Sequence, residues 1–131
     1  LPRKLVRRAK FGHDAGMAAA HSLFDESPRP TAIVCGNDVL ALGALSAARQ
    51  RGLRVPEDLT VVGFDDIAVA GWPIVNLTTV RVDLDLLAAT AVEMLLVEIG
   101  SDRNDSRTRT VQRRIPVETR LRGTHGPAPG P

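Results

Sequence analysis

The chain has 131 residues, of which 44% are hydrophobic and 24% charged, and its formal net charge at pH 7 is +2. These values are typical of a soluble globular protein and exclude a fibrous or a highly charged disordered one. No apolar run reaches the roughly 20 residues that a membrane span needs. The single cysteine, Cys35, excludes an internal disulfide and fits a reducing cytoplasm.

The charge is unevenly distributed, with five basic residues at positions 1–10 and seven arginines at positions 101–122. Basic ends can mark nucleic-acid contact, but these lack the aromatic interleaving and the helix-turn-helix or zinc-finger patterns of DNA-binding modules. We therefore expect solvated surface arginines and no direct nucleic-acid binding by this chain. No apolar stretch follows the basic N-terminus, so we do not expect it to be a secretory signal.

Helical and strand patterns alternate along the chain. In chain order they predict a helix at 14–25, a strand at 31–35, a helix at 39–51, a strand at 59–64, an apolar loop or short helix at 67–75, a strand at 76–80, a helix at 84–99 and a strand at 111–117. Asp14 is expected to cap the first helix and Gly52 to end the second. The Gly/Pro-rich residues 123–131 are expected to be a disordered tail.

Two polar pairs stand where the first two strands end. Asn37-Asp38 follows the strand at 31–35, and Asp65-Asp66 follows the strand at 59–64. Because a helical crossover joins two continuously apolar strands, we expect parallel pairing. The carboxyl ends of parallel strands then form one edge, which is where open α/β sheets bind ligands.

Four stretches carry a resemblance to a known family. They are RPTAIVCGND at 29–38, ALGAL at 41–45, RGLRVPEDLTVVGFDD at 51–66 and LTTV at 77–80. In this order and spacing the chain resembles the effector-binding core of the lactose/galactose repressor (LacI/GalR) family of bacterial transcriptional regulators. The resemblance covers about residues 1–122 and implies an α/β fold with a parallel doubly wound sheet, part of a type I periplasmic-binding-protein-like core.

The resemblance also implies a division of the chain. Residues 1–80 and 111–122 would form an incomplete C-terminal effector-binding subdomain. Residues 81–110 would be a crossover helix and loop that pack on an N-terminal subdomain absent from this chain. By this analogy, the DNA-binding headpiece lies outside the chain as well.

Three effector-binding residues follow from matching positions. Asn37 and Asp65 would hydrogen-bond effector hydroxyls, and Phe11 would lie against the apolar face of a sugar. Alternatives remain open at each position, because Asn37 could be only a helix cap, Asp65 only a turn residue and Phe11 ordinary core. Asp38 and Asp66 are more readily interpreted as a cap and a turn residue.

The family's dimerisation surface would fall on the helix at 38–51 and the loop at 67–75. The interface residues expected on this basis are Leu42, Leu45, Ala68 and Trp72. The resemblance therefore implies a cytoplasmic homodimer that senses a sugar-like effector and contacts operator DNA only through the headpiece.

An enzyme is not expected, since the chain lacks a nucleophile elbow, a P-loop, a Gly-x-Gly-x-x-Gly motif and metal-spaced His or Cys residues. We expect no catalytic residue, no metal and no cofactor. The alternative function is a periplasmic sugar-binding protein of an uptake system, which shares the two-subdomain fold.

Overall fold

The computed structural model describes residues 2–100 and 111–128. The elements are α1 (His13–Phe24), β1 (Ala32–Val34), α2 (Asp38–Gln50), β2 (Thr60–Val62), β3 (Thr79–Val82), α3 (Leu84–Gly100) and β4 (Val117–Arg120), with short 3-10 helices at Arg3–Leu5 and Ala68–Gly71. Alternation of helices and strands confirms the predicted α/β class.

The strands β1 and β2 pair in parallel, with Ile33 opposite Val61, which confirms the predicted pairing. Parallel bridges between Val62 and Thr78 and between Asp65 and Arg81 continue the ladder toward β3. Strand β3 pairs in turn with β4. The strands thus form two two-stranded sheets, β1–β2 and β3–β4, which the isolated bridges connect, and the carboxyl ends of β1 and β2 lie at one edge.

Helices α1 and α2 pack closely because small residues line their contact. A Cβ atom on Gly16 would overlap the Leu40 backbone, and one on Gly43 would overlap the backbones of His13 and Met17. Alanines fill the rest of this contact and the core beneath it, together with a few larger aliphatic residues. The fully buried members are Ala41, Ala47, Ala48, Leu59, Val61, Ala70 and Leu77. This aliphatic packing fixes α2, and with it the residues at its N-terminus.

Two helix ends test the capping predictions. The prediction that Asp14 caps α1 is wrong, since the helix begins at His13 and its N-cap is Gly12, which has a φ of 158° and no side-chain cap bond. Asp14 instead lies in the first turn, where a carboxylate still favours the helix dipole. The end of α2 is as predicted: Arg51 is the C-cap, and Gly52 follows in the left-handed region with a φ of 68°.

The strand predicted at 76–80 begins three residues late. Asn76 has a φ of 47°, a left-handed conformation that no strand residue adopts. The chain therefore turns at Asn76 and becomes extended only afterwards, so that β3 runs over Thr79–Val82. The final strand is likewise displaced, because residues 111–116 are irregular and β4 covers only Val117–Arg120.

The expectation of a disordered tail is wrong for residues 123–128. Thr124 is buried, and its hydroxyl donates to Val61 O at 2.7 Å while accepting from Thr78 N at 2.9 Å. Thr124 O accepts from Val61 N at 2.8 Å. The segment thus satisfies backbone groups of Val61 in β2 and of Thr78 just before β3, which a Gly/Pro-rich composition does not reveal. The expected tail residues 129–131 lie outside the described residues.

The described residues form two compact units, 2–81 with 119–128 and 82–100 with 111–118. The second unit contains residues 111–118 together with α3. None of the α3 residues is buried, although most are apolar. The loop expected at 100–110 lies, apart from Gly100, outside the described residues. Among the described helices, none is long and apolar enough to cross a membrane.

Candidate functional site

The first unit carries the site-forming edge where β1 and β2 end. The N–H of Asp38 donates to Phe64 O at 2.8 Å, and the N–H of Asp65 donates to Val80 O at 2.9 Å. These two bonds place the Asn37-Asp38 and Asp65-Asp66 pairs side by side. The predicted convergence of the two pairs at one edge is therefore confirmed.

Asn37 is the N-cap of α2. Its backbone is extended, with φ −159° and ψ 173°, and its Oδ1 accepts from Leu40 N at 2.9 Å. The cap interpretation is thus correct for the oxygen. The side-chain Nδ2 makes no hydrogen bond to any described residue, although the residue is only 7% exposed. Asn37 therefore keeps one donor available to a ligand while its acceptor is used by the helix.

Asp38 is fully buried and makes no cap bond, so its interpretation as a helix cap is wrong. Its Oδ1 accepts from Thr79 Oγ1 at 2.5 Å, and its Oδ2 accepts from Ile67 N at 2.9 Å. Space for the carboxyl group exists because residue 63 is glycine, where a Cβ atom would overlap Asp38 Oδ1. Asp38 is therefore an internal tether between three segments.

Asp65 is exposed and forms no side-chain hydrogen bond with the described residues. Its φ of 114° lies in the left-handed region, so the residue occupies a strained turn. Partial burial, reinforced by the negative charge of Asp38, raises the pKa of the Asp65 carboxyl above its ordinary value. Asp65 thus presents a carboxyl group without a hydrogen-bond partner among the described residues. A hydrogen-bond donor on a ligand would stabilise its ionised form.

Asp66 is engaged within the protein. Its Oδ1 accepts from Arg122 Nη2 at 2.6 Å, and its Oδ2 lies 4.0 Å from Arg120 Nε. Its side chain is only 12% exposed, and Arg122 also donates to Leu77 O at 2.8 Å. The interpretation of Asp66 as a structural turn residue agrees with its φ of 58° and with this ion pair.

Phe11 precedes α1 and is 84% exposed. The alternative that Phe11 belongs to the core is therefore wrong. Its exposed ring is free to contact another molecule, but its role as a sugar-stacking residue stays a prediction.

The expected dimer-interface residues differ in exposure. Leu42 is half-buried, and Leu45 is half-buried against the core cluster. Ala68 is exposed, and Trp72, which ends the 3-10 helix, is 56% exposed. The loop thus presents more apolar surface than the helix does.

Cys35 packs against the core, as predicted. Burial, and secondarily the charge of Asp38, raises the pKa of its thiol to about 12. The thiolate that nucleophilic chemistry requires is therefore scarce at neutral pH. Within residues 2–100 and 111–128, no group of three or more His, Cys, Asp or Glu side chains is placed to hold a metal ion.

The interpretation of the sequence did not identify three residues that support the site. They are Gly63, Thr79 and Arg122. A glycine inside an apolar strand is a known signal of close approach by another group, so Gly63 could have been found. Thr79 and Arg122 act on partners 41 and 56 positions away, and no local pattern marks them.

The sequence matches the periplasmic binding protein-like domain family over residues 2–124. It is 38% identical over 120 residues to the HTH-type transcriptional repressor PurR of Salmonella paratyphi B, a match that covers 92% of this chain and 35% of the repressor. The chain therefore spans about a third of the length of the curated relatives it matches.

Two solved structures extend the likeness. A LacI transcriptional regulator from a Rhodococcus species superposes with a TM-score of 0.81 at 31% identity, covering 93% of this chain and 43% of that one. The transcriptional regulator CelR in complex with cellobiose superposes with a TM-score of 0.81 at 30% identity, covering 95% of this chain and 37% of that one.

Proposed function

This chain belongs to the periplasmic binding protein-like domain family, and we propose that it is part of the small-molecule-sensing core of a LacI/GalR-type bacterial transcriptional regulator. The effector is a sugar or polyol. Binding shifts the population of conformations in the whole protein and thereby changes its affinity for operator DNA. The DNA contact belongs to a headpiece, so the place of action is the cytoplasm.

A single observation carries the proposal. At the carboxyl edge, the second residue of each polar pair is engaged internally, while the first keeps a free group. Asn37 offers an N–H donor, and Asp65 offers carboxyl oxygens. A sugar hydroxyl both donates and accepts, so a donor beside an acceptor suits it. The cellobiose complex of a structural neighbour supports this ligand class.

Phe11 completes the proposed recognition set. Its ring is exposed, and an aromatic face packs well against the C–H face of a pyranose. The edge formed by this chain supplies one wall of a two-subdomain cleft in this proposal. The remaining contacts would come from the other subdomain.

The regulator is proposed to act as a homodimer. Exposed apolar residues of the loop at 67–75, Ala68 and Trp72, would meet the same surface of a second copy, with Leu42 and Leu45 of α2 beside them. Sedimentation velocity of the intact protein tests this, because Trp72→Asp should shift a dimer toward monomer. A dimer that is unaffected by this change would place the interface elsewhere.

The relatives favour a regulator over an uptake protein. The curated relative and both structural neighbours named above are transcriptional regulators, and none is an enzyme or a periplasmic transport protein. An enzymatic role has no support from the described residues, because the thiol of Cys35 is held protonated and the two engaged aspartates are tied to structural partners.

Isothermal titration of the intact protein with cellobiose and a panel of mono- and disaccharides tests the proposal. Asp65→Ala should weaken binding of any sugar that the wild type takes by at least about tenfold, the loss expected when a charged hydrogen-bond partner is removed. Asp58→Ala is the matched control, since Asp58 pairs with Arg54 outside this edge. Unchanged affinity in Asp65→Ala would reject Asp65 as a ligand, and no heat with any sugar would reject the ligand class.

A further inference from the structure

The buried carboxyl group of Asp38 has a position that helix capping does not explain. It reaches away from the first turn of α2 and joins two other segments, the loop after β2 through Ile67 N and the start of β3 through Thr79 Oγ1. Its own backbone N–H binds the end of β2 at Phe64 O. A single residue thus ties together the three segments that frame the carboxyl edge.

Each of these segments is continuous with a region that the proposed function uses. Asn37, the residue before Asp38, carries the free amide donor. Ile67 opens the loop that displays Ala68 and Trp72. Thr79 begins β3, which runs to Val82, and the first compact unit extends along this strand as far as residue 81. The carboxyl group therefore links the ligand edge directly to the start of the exposed apolar loop.

Two packing facts make this connection specific. Gly63 leaves no Cβ in the volume that Asp38 Oδ1 occupies, so the carboxyl group can lie against residue 63 and reach Thr79 Oγ1. In the described part of the chain, every side-chain nitrogen or oxygen atom that is itself fully shielded from solvent has a hydrogen-bond partner. Both oxygens of Asp38 are satisfied in this one arrangement, and a shift of the loop or of β3 would leave one of them buried without a partner.

We propose that Asp38 is a positioning residue that couples the ligand edge at Asn37 to the loop at Ile67–Trp72, so that movement of one is transmitted to the other. This inference rests on the proposed function for its biological meaning. The physical prediction is that the residues around Asn37 and the loop at Ile67–Trp72 open locally at the same time. The rest of the first unit stays closed during this local opening. The coupling would let a bound hydroxyl at Asn37 alter the apolar loop.

Amide hydrogen exchange measures this coupling without any ligand. Three amides report on it: Ile67 N–H bonds to Asp38 Oδ2, Leu40 N–H bonds to Asn37 Oδ1, and Val61 N–H bonds to Thr124 O in the core. Thr79→Val removes the hydroxyl but keeps the side-chain shape. We expect exchange at Ile67 to accelerate at least about tenfold and at Leu40 several-fold, with Val61 unchanged.

A conservative substitution of Asp38 should have an intermediate effect on amide exchange. In Asp38→Asn, the amide oxygen can still accept from Ile67 N–H, and the NH₂ group can donate to Thr79 Oγ1. Its exchange rates should fall between those of the wild type and Thr79→Val, and it keeps the test decisive if Thr79→Val does not fold. Acrylamide quenching of Trp72, the chain's single tryptophan, should rise in the same order.

The control is Asp58→Asn, which removes a carboxylate paired with Arg54 and should leave all three amides unchanged. The proposal is overturned if Thr79→Val leaves Leu40 unaffected, or if all three amides accelerate together, since the latter shows only global destabilisation. A cellobiose titration of the wild type runs in parallel. Failure to bind the sugar would count against the proposed ligand class, whereas the exchange data alone decide the role of Asp38.

Discussion

At the end of β1, Asp38 is fully buried and held by two uncharged donors, whereas at the end of β2 Asp66 keeps some exposure and is held by the guanidinium of Arg122. The first residues differ as well. Asn37 caps a helix with its oxygen, while Asp65 sits in a left-handed turn with no side-chain partner among the described residues. In each pair, the second residue is bound within the protein, while the first keeps a polar group without a partner among the described residues. Hydrogen bonds from uncharged donors hold the second residue at the end of β1, and an ion pair holds it at the end of β2.

This difference predicts unequal sensitivities. The end of β1 depends on shape, because Asp38 fits only where a glycine faces it. The end of β2 depends on charge, because Asp66 needs an arginine from a distant part of the chain. Substitutions that alter shape should therefore act most strongly at the end of β1, and substitutions that remove charge should act most strongly at the end of β2.

Gly63→Ala should have the largest effect. The added Cβ would overlap Asp38 Oδ1 and lie 3.0 Å from Leu77 Cδ2, so the tether must move. Urea denaturation should show a loss of about 3 kcal/mol in the free energy of unfolding, at the upper end of overpacking costs. Gly36→Ala is the control, because its Cβ would meet only Leu40 Cδ1 at 3.9 Å. Equal losses in the two variants would contradict the special role of Gly63.

Asp66→Asn should cost less, about 2 kcal/mol, since it weakens a largely buried hydrogen-bonded ion pair without creating a cavity. The comparison is with Asp25→Asn, which removes the exposed pair between Asp25 and Arg51 at 2.8 Å. That loss should stay near about 0.5 kcal/mol, as for other exposed pairs. If both substitutions cost the same in thermal or urea unfolding, burial does not strengthen the Arg122 pair.

The local sequence was enough to predict which helices and strands form, but not the ends of β3 and β4 and not the contacts of Asp38. Gly52 ends α2 as expected, because a left-handed glycine after an apolar helix is a local signal. Asp38 looked like a cap because the same residue type caps helices. Its true partners, Ile67 and Thr79, lie 29 and 41 positions away and become neighbours only after the sheet forms.

The same reason explains the error at the C-terminus. The composition of residues 123–128 predicts a disordered tail, yet Thr124 hydrogen-bonds to both β2 and residues before β3. Sequence composition indicates whether a segment can form ordered structure by itself. Residues 123–128 are instead held in place by hydrogen bonds to neighbouring segments of the chain. The resemblance predicted Asn37 and Asp65 as effector-binding residues, and their hydrogen bonds in the structure show which of their atoms have no partner among the described residues.

Asn37→Ala and Asn37→Ser separate the two roles of this side chain. The alanine variant loses the cap on Leu40 N and should lower the free energy of unfolding by about 1 kcal/mol. The serine variant keeps a capping oxygen but replaces the Nδ2 donor with a shorter hydroxyl, so its stability should stay near that of the wild type. Under the proposed function both variants weaken sugar binding, the alanine variant more because it has no donor. An alanine variant with full sugar affinity would limit Asn37 to capping.

Asp65→Asn should have the smallest effect on stability, about 0.5 kcal/mol or less, as for other exposed positions. The size of this stability difference depends on pH. Because partial burial and the charge of Asp38 raise the Asp65 pKa above 3.8, the folded protein holds this proton to higher pH than the unfolded chain does. The wild type therefore loses stability as pH rises through the raised pKa, and the asparagine variant does not. Urea midpoints should coincide at acidic pH and favour the variant at neutral pH, whereas a constant difference across pH would mean that the Asp65 carboxyl does not titrate differently on folding.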